Sequence, residues 1–192
     1  MLITLGFYQL VTHDTATAAS AVETAVDVAT LLAGDACSRK FESAARTEPC
    51  MIHEGPPGTF KVYPDAWPIT AVTVPSGSRV AISERAIFVP SPAYDMLVEP
   101  VYGDGWTTVT YTGGYTEATC PANLKVLFAQ LANALLVNGL QALEGVPAGA
   151  TSVSLGDASI TFGTGSPDYA AATCEALLPG AAGRLRGWRK RT

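Results

Sequence analysis

The residues whose types suit chemistry near neutral pH are few and scattered. The histidines are His13 and His53, and the cysteines are Cys37, Cys50, Cys120 and Cys174. Neither histidine lies in an HExxH helix, and no two cysteines are closer than thirteen residues, which excludes CxxC redox pairs and CxxC zinc knuckles. His53-Glu54 precedes Gly55-Pro56-Pro57 and reads as a surface loop pair. Cys37 stands before Ser38-Arg39-Lys40, whose cations would favour a thiolate. A packed helix cysteine is nonetheless the expected reading, and the four cysteines are expected to be reduced and mostly buried. No GxSxG elbow occurs. Gly163-Thr164-Gly165-Ser166 lacks the lysine of a phosphate-gripping loop, and Gly103-Asp104-Gly105 lacks the alternating carboxylates of a calcium loop. No catalytic, cofactor-binding or metal site is expected.

One segment stands apart. Residues 183–191 run Gly183-Arg184-Leu185-Arg186-Gly187-Trp188-Arg189-Lys190-Arg191, five cations around two large apolar side chains. Arginine forks match carboxylates and phosphates, and tryptophan is a strong apolar anchor. Such a segment suits docking into an acidic groove, with folding on contact. A solvated solubility tail and a nucleic-acid contact are the alternatives. The chain carries 12 Lys+Arg against 17 Asp+Glu, a net charge of −5. Without its last nine residues it holds 7 basic and 17 acidic residues, a net of −10. An acidic body weighs against a nucleic-acid binder.

The elements that must carry this segment are legible as patterns. The chain has 192 residues, 48% hydrophobic and 15% charged, which suits one folded domain with a true core and excludes a disordered chain. Val22, Val26, Ala29, Ala33 and Ala36 mark one face of a helix from about Asp14 to Phe41, with Ser20 and Glu23 as a capping box and Gly34 as a point of weakness. Residues 46–117 hold short β-type runs at 60–63, 69–74, 79–82, 86–89 and 106–111, separated by Pro and Gly. Pro121 opens a second helix whose stripe is Leu124, Leu127, Phe128, Leu131 and Leu135, ending near Glu144-Gly145. A short third helix is expected from Asp168 to Leu178. The first basic residue is Arg39, so the cationic start of a signal peptide is missing. No run reaches the ~20 apolar residues of a membrane span. A soluble protein made in a cytoplasm is expected.

The fold expected is α+β. A small helical bundle (long N-terminal helix, long central helix, short C-terminal helix) would occupy about 14–45 and 120–178. An antiparallel β-region would be inserted at about 46–117, and an extended basic tail would cover about 179–192, all in one domain.

Several segments, in order, resemble the head–tail connector family of tailed bacteriophages, also called adaptor or head-completion proteins. They are Ala36-Cys37-Ser38-Arg39-Lys40-Phe41-Glu42, Arg46-Thr47-Glu48, Trp67-Pro68-Ile69-Thr70-Ala71-Val72, Val109-Thr110-Tyr111-Thr112-Gly113-Gly114-Tyr115 ahead of Cys120-Pro121-Ala122-Asn123-Leu124-Lys125, Leu155-Gly156-Asp157-Ala158-Ser159-Ile160-Thr161-Phe162, and Leu177-Leu178-Pro179-Gly180 before the basic end. The likeness spans most of residues 15–192. The chain departs from the family before Asp14, where it reads as strand-like, and at the inserted Ala181-Ala182-Gly183.

The resemblance implies a structural adaptor rather than an enzyme, without cofactor, metal or membrane. It would act in the virion neck after assembly in the host cytoplasm. It would form a dodecameric ring between the portal protein and a tail-side stopper or tail terminator, with genomic DNA passing through the lumen without sequence-specific binding. An acidic lumen is expected from the net charge. Arg184, Leu185, Arg186, Trp188, Arg189, Lys190 and Arg191 would dock on the portal. The alternative is another neck or tail component, a stopper or tail-completion protein, bound to the tail side.

Overall fold

The structure is a computed structural model that describes residues 1–73, 80–90, 106–137, 152–155, 158–161 and 167–190. The expected ends of the central helix near Glu144 and of the turn at Gly103-Asp104-Gly105 lie outside the described residues, as does Arg191. The chain divides into two compact units. One comprises Met1–Lys40 with Thr116–Arg191, and the other Phe41–Tyr115.

The first unit is helical. It opens with α1 (Leu5–Thr12), which corrects the strand-like expectation for this stretch. The Thr4 side chain accepts from the Phe7 N–H at 3.2 Å and caps the start. His13 closes the helix in the left-handed region at φ 59°, its N–H donating to the Gln9 carbonyl at 2.9 Å. Tyr8 is fully buried, and its hydroxyl lies 3.3 Å from Asp14 Oδ2 and 3.1 Å from Asn133 Oδ1.

Helix α2 (Ala19–Cys37) buries the expected stripe from Val22 to Ala36. Its start is not a capping box. Ala18 is the cap residue, and Ser20 lies within the helix, where its carbonyl accepts from the Thr24 hydroxyl at 2.9 Å. Gly34 does not break the helix. The Arg39 carbonyl comes so close that a Cβ at position 34 would sit 2.8 Å from it, so glycine here permits the chain to fold back over the helix end.

Helix α2 packs on α3 (Ala122–Val137) and α4 (Pro167–Leu177). From α3 it meets a leucine-rich core in which Leu124, Leu127, Phe128, Leu131 and Leu135 are at most 1% exposed. Each such side chain contributes about 1.5–3 kcal/mol by leaving water.

The basic end corrects the expected extended tail. Ala181–Leu185 form α5, and Arg186–Trp188 continue as a short 3-10 turn.

The second unit is a six-stranded antiparallel sheet of β1 (Ala44–Glu54), β2 (Thr59–Val62), β3 (Ile69–Thr73), β4 (Ala81–Ile82), β5 (Ile87–Pro90) and β6 (Trp106–Gly113). Its spatial order is β3-β6-β1-β2-β5-β4. Strand β1 serves two neighbours: residues 44–51 pair with 113–106 of β6, and Ile52–Glu54 pair with Val62–Phe60 of β2. The Ile69 N–H of edge strand β3 donates to the Glu84 carbonyl at 3.0 Å, in the turn that follows the other edge strand, β4, and brings the sheet close to a barrel.

This overturns the expected architecture. The β-region is not a minor insertion in a helical bundle but a near-closed sheet with its own core, so the fold is mixed. The organising strand, β1, was hidden by its composition: Arg46, Glu48 and Pro49 do not read as a β-branched run. A further hairpin, β7 (Ser152–Leu155) with β8 (Ala158–Thr161), precedes α4.

Candidate docking surface

The cationic segment is held by its own unit through a chain of specific contacts. Helix α4 ends near Leu177, and Gly180 turns the chain in the left-handed region at φ 86°. Glu175 bridges the corner. Its Oε1 accepts from the Gly180 N–H at 2.7 Å and its Oε2 from the Ala182 N–H at 3.0 Å. Those two donors satisfy amides that open α5 and hold the Glu175 carboxyl below its ordinary pKa. Ala181 and Leu185, one turn apart, are buried at 0% and 1% exposure.

Two contacts tie the segment to the end of α2. The Cys37 thiol lies 3.6 Å from the Leu185 carbonyl, and the Lys190 N–H donates to the Cys37 carbonyl at 2.8 Å. Leu185, expected among the docking residues, is therefore core.

The remaining docking residues divide by exposure. Arg184 and Arg186 are exposed, while Trp188, Arg189 and Lys190 are partly exposed. Arg184 Nη1 donates to Gln130 Oε1 at 2.7 Å, which aims one guanidinium from a fixed base. Arg189 Nη2 lies 3.6 Å from Asp168 Oδ1, with the two side chains 40% and 88% exposed. A pair this wet is worth at most about 1 kcal/mol and yields readily to a better partner. The arrangement can bind an anionic, acidic surface.

Gln130, Glu175 and Cys37 join this site through contacts that the sequence pattern does not reveal. Glu175 left one usable signal, an acid a single turn before Pro179-Gly180.

The other candidates have structural roles. None of the four cysteines is in a disulfide, and all are buried. Burial pushes Cys37 up to about 12 although Arg39 and Arg189 pull it down, so desolvation outweighs the cations beside it. Burial likewise takes Cys174 to about 12 and Cys120 to about 11. None of these three thiols is a ready nucleophile at neutral pH. His53 faces Lys61 across the β1–β2 ladder and meets the Tyr63 ring edge-on at 5.2 Å, while adjacent Glu54 alternates to the other side of the strand. His13 closes α1. Among the described residues, no group of three or more His, Cys, Asp and Glu is placed to hold a metal ion, and no helix is long and apolar enough to cross a membrane.

The motif Val109–Tyr115 also builds structure. Tyr111 is 1% exposed; its hydroxyl donates to Glu48 Oε1 at 2.8 Å and accepts from the Ala66 N–H at 2.9 Å. Burial, above all, raises its pKa. Glu48 Oε1 also accepts from the Asp65 N–H at 2.6 Å. Gly114, at φ 107°, donates to the Pro68 carbonyl at 3.0 Å and runs against the Glu42 carbonyl where no Cβ fits. Tyr115 then pairs with Phe41 and Ser43, its N–H donating to the Phe41 carbonyl at 2.6 Å.

No protein-family model matches the chain, and no curated protein matches it. Among solved structures it is similar to a chain from the neck of an empty GTA (gene transfer agent) particle, determined with C6 symmetry. The two share 13% identity at a TM-score of 0.51, and the match covers 97% of this chain and 88% of that one. At that identity the likeness is one of fold, so the chain has the fold of a component of a phage-like neck.

Proposed function

We propose that the chain is a structural component of the neck of a phage-like particle, and within the neck a head–tail adaptor. The observation that carries this is the fold likeness to a neck chain over 97% of the sequence. The ordered motifs from Ala36 to the basic end agree with it. In this reading the protein is a virion component and not an enzyme. Copies form a ring below the portal protein and above a tail-side stopper or tail terminator. A twelve-membered ring is compatible with the sixfold symmetry of the similar structure. DNA passes the lumen without sequence-specific contact, and the acidic balance of residues 1–183 keeps phosphates from sticking.

Portal docking is assigned to the exposed Arg184 and Arg186, with Trp188, Arg189, Lys190 and Arg191. Leu185 acts from behind, as the peg that holds the segment. A preformed segment loses less entropy on docking than a disordered tail would. The test is the native mass of portal rings mixed with the full-length chain. Stoichiometric addition supports the portal-side adaptor. Addition to isolated tails but not to portals contradicts it and favours a stopper or tail-completion protein.

A further inference from the structure

Two arginines of the basic segment are held by side chains of opposite character. Arg189 stands 3.6 Å from the Asp168 carboxylate, so its charge is partly answered within the chain. Arg184 instead donates through Nη1 to the Gln130 amide oxygen at 2.7 Å, a shorter contact with a neutral group. A neutral acceptor fixes a guanidinium without cancelling its charge. The acid nearest to Arg184 in sequence, Glu175, is occupied elsewhere. Its two oxygens accept from the Gly180 and Ala182 N–H groups. Both ends of the Arg184–Gln130 bond also grow from packed backbone. Arg184 precedes buried Leu185, and Gln130 lies between buried Ala129 and Leu131. The two residues are 54 positions apart in sequence, so the bond ties α5 to α3.

We infer that Arg184, placed by Gln130, is the group of this segment that reads a carboxylate on a partner protein, while Arg189 stays with Asp168. The inference rests on the docking reading above and names the pair within it that selects the partner's chemistry. A guanidinium is a planar fork of five N–H donors. Gln130 takes Nη1, which leaves the Nε–Nη2 edge for a second acceptor. That edge matches the two coplanar oxygens of an aspartate or glutamate. A guanidinium held in place beforehand loses less rotamer freedom on docking. The neutrality of Gln130 matters as much as its position, because a carboxylate there would compete with the partner's own. Phosphates offer similar oxygens, but residues 1–183 hold 7 basic and 17 acidic residues, a net of −10 that repels a nucleic acid.

The test is solution NMR of the full-length chain with 15N-labelled arginine side chains. Hexaglutamate is the carboxylate probe, and a short DNA duplex is the phosphate probe. Hexaglutamate is expected to shift the Arg184 Nε–Hε signal at least twofold further than that of Arg189. Gln130→Glu, which keeps the shape and adds a charge, is expected to remove that preference. Gln130→Met, which removes the acceptor, is expected to weaken hexaglutamate binding at Arg184 at least threefold. Both variants are expected to melt at the wild-type temperature. An Arg184 signal that moves no further than Arg189's, a response to the duplex and not to hexaglutamate, or wild-type behaviour of Gln130→Glu overturns the inference. On portal rings, native mass titration is expected to show at least tenfold weaker binding of Gln130→Glu, with no further loss when it is added to Arg184→Ala. A loss that persists in the Arg184→Ala background overturns the positioning role of Gln130. If hexaglutamate selects Arg184 but the chain joins neither portal rings nor tails, the carboxylate site stands and the neck reading falls.

Discussion

The backbone N–H of Lys190 donates to the carbonyl of Cys37, fastening the basic segment to the end of α2. With Leu185 buried between these points, the segment is part of the helical unit before any partner arrives. A truncation at residue 183 would remove both its charge and its peg, so it cannot separate docking from folding.

Point substitutions can. Leu185→Ala is predicted to destabilise by about 2–5 kcal/mol, the range for emptying a buried leucine site. Arg184→Glu with Arg186→Glu is predicted to stay within about 0.5 kcal/mol of wild type, as exposed sites do, while losing portal binding. Urea titration and native mass on portal rings read the two effects apart.

Tyr111→Phe keeps the ring and removes the hydroxyl that joins Glu48 to the Ala66 N–H. A loss of about 1–3 kcal/mol is predicted, the penalty for stranding buried polar groups. Urea titration checks it, and an unchanged midpoint would mean that the Tyr111–Glu48 bridge does not support the sheet.

Gly34→Ala sets two effects against each other. Alanine gains up to about 1 kcal/mol in helix propensity. Its Cβ would stand 2.8 Å from the Arg39 carbonyl, a backbone atom with little room to retreat. The clash is predicted to win, and the melting temperature to fall. A rise would show that the turn after α2 is free to move.

The buried thiols predict an alkaline transition. Cys37 and Cys174 are raised from 9.0 to about 12 by burial. Their folded values lie above the unfolded ones, so their stabilisation is complete below pH 9 and is lost as the pH climbs from 9 toward 12. Glu175 works in the opposite sense. Its folded pKa lies below the ordinary 4.5, so its contribution is present above that value and lost as the pH falls through the folded pKa. Urea midpoints are predicted to fall above pH 9. Glu175→Gln is predicted to flatten the acid limb, and the same acid limb in this variant would remove Glu175 from the explanation.

The long helices were legible because apolar residues at steps of three and four leave one solution, a buried stripe. Helix α1 was not, because Leu, Ile, Thr and Phe read as β-formers until the Thr4 cap and the burial of Tyr8 decide the matter. Strand β1 is obscure for a different reason. Its alternation places Arg46 and Glu48 inward; the Arg46 guanidinium donates to the backbone carbonyl of Glu42, and the Glu48 carboxylate accepts from the Asp65 N–H and the Tyr111 hydroxyl, 17 and 63 residues away. The basic segment stands out in the sequence, but its cations make it read as a tail. Five cations obscured a one-turn apolar pair, Ala181 and Leu185, which was enough to fold it back.

The most direct test of the neck assignment is the position of the chain in a purified particle. Electron microscopy of particles carrying a gold-labelled copy is predicted to show label in a ring at the junction of head and tail. Label spread over the capsid shell, or particles without label, would contradict it.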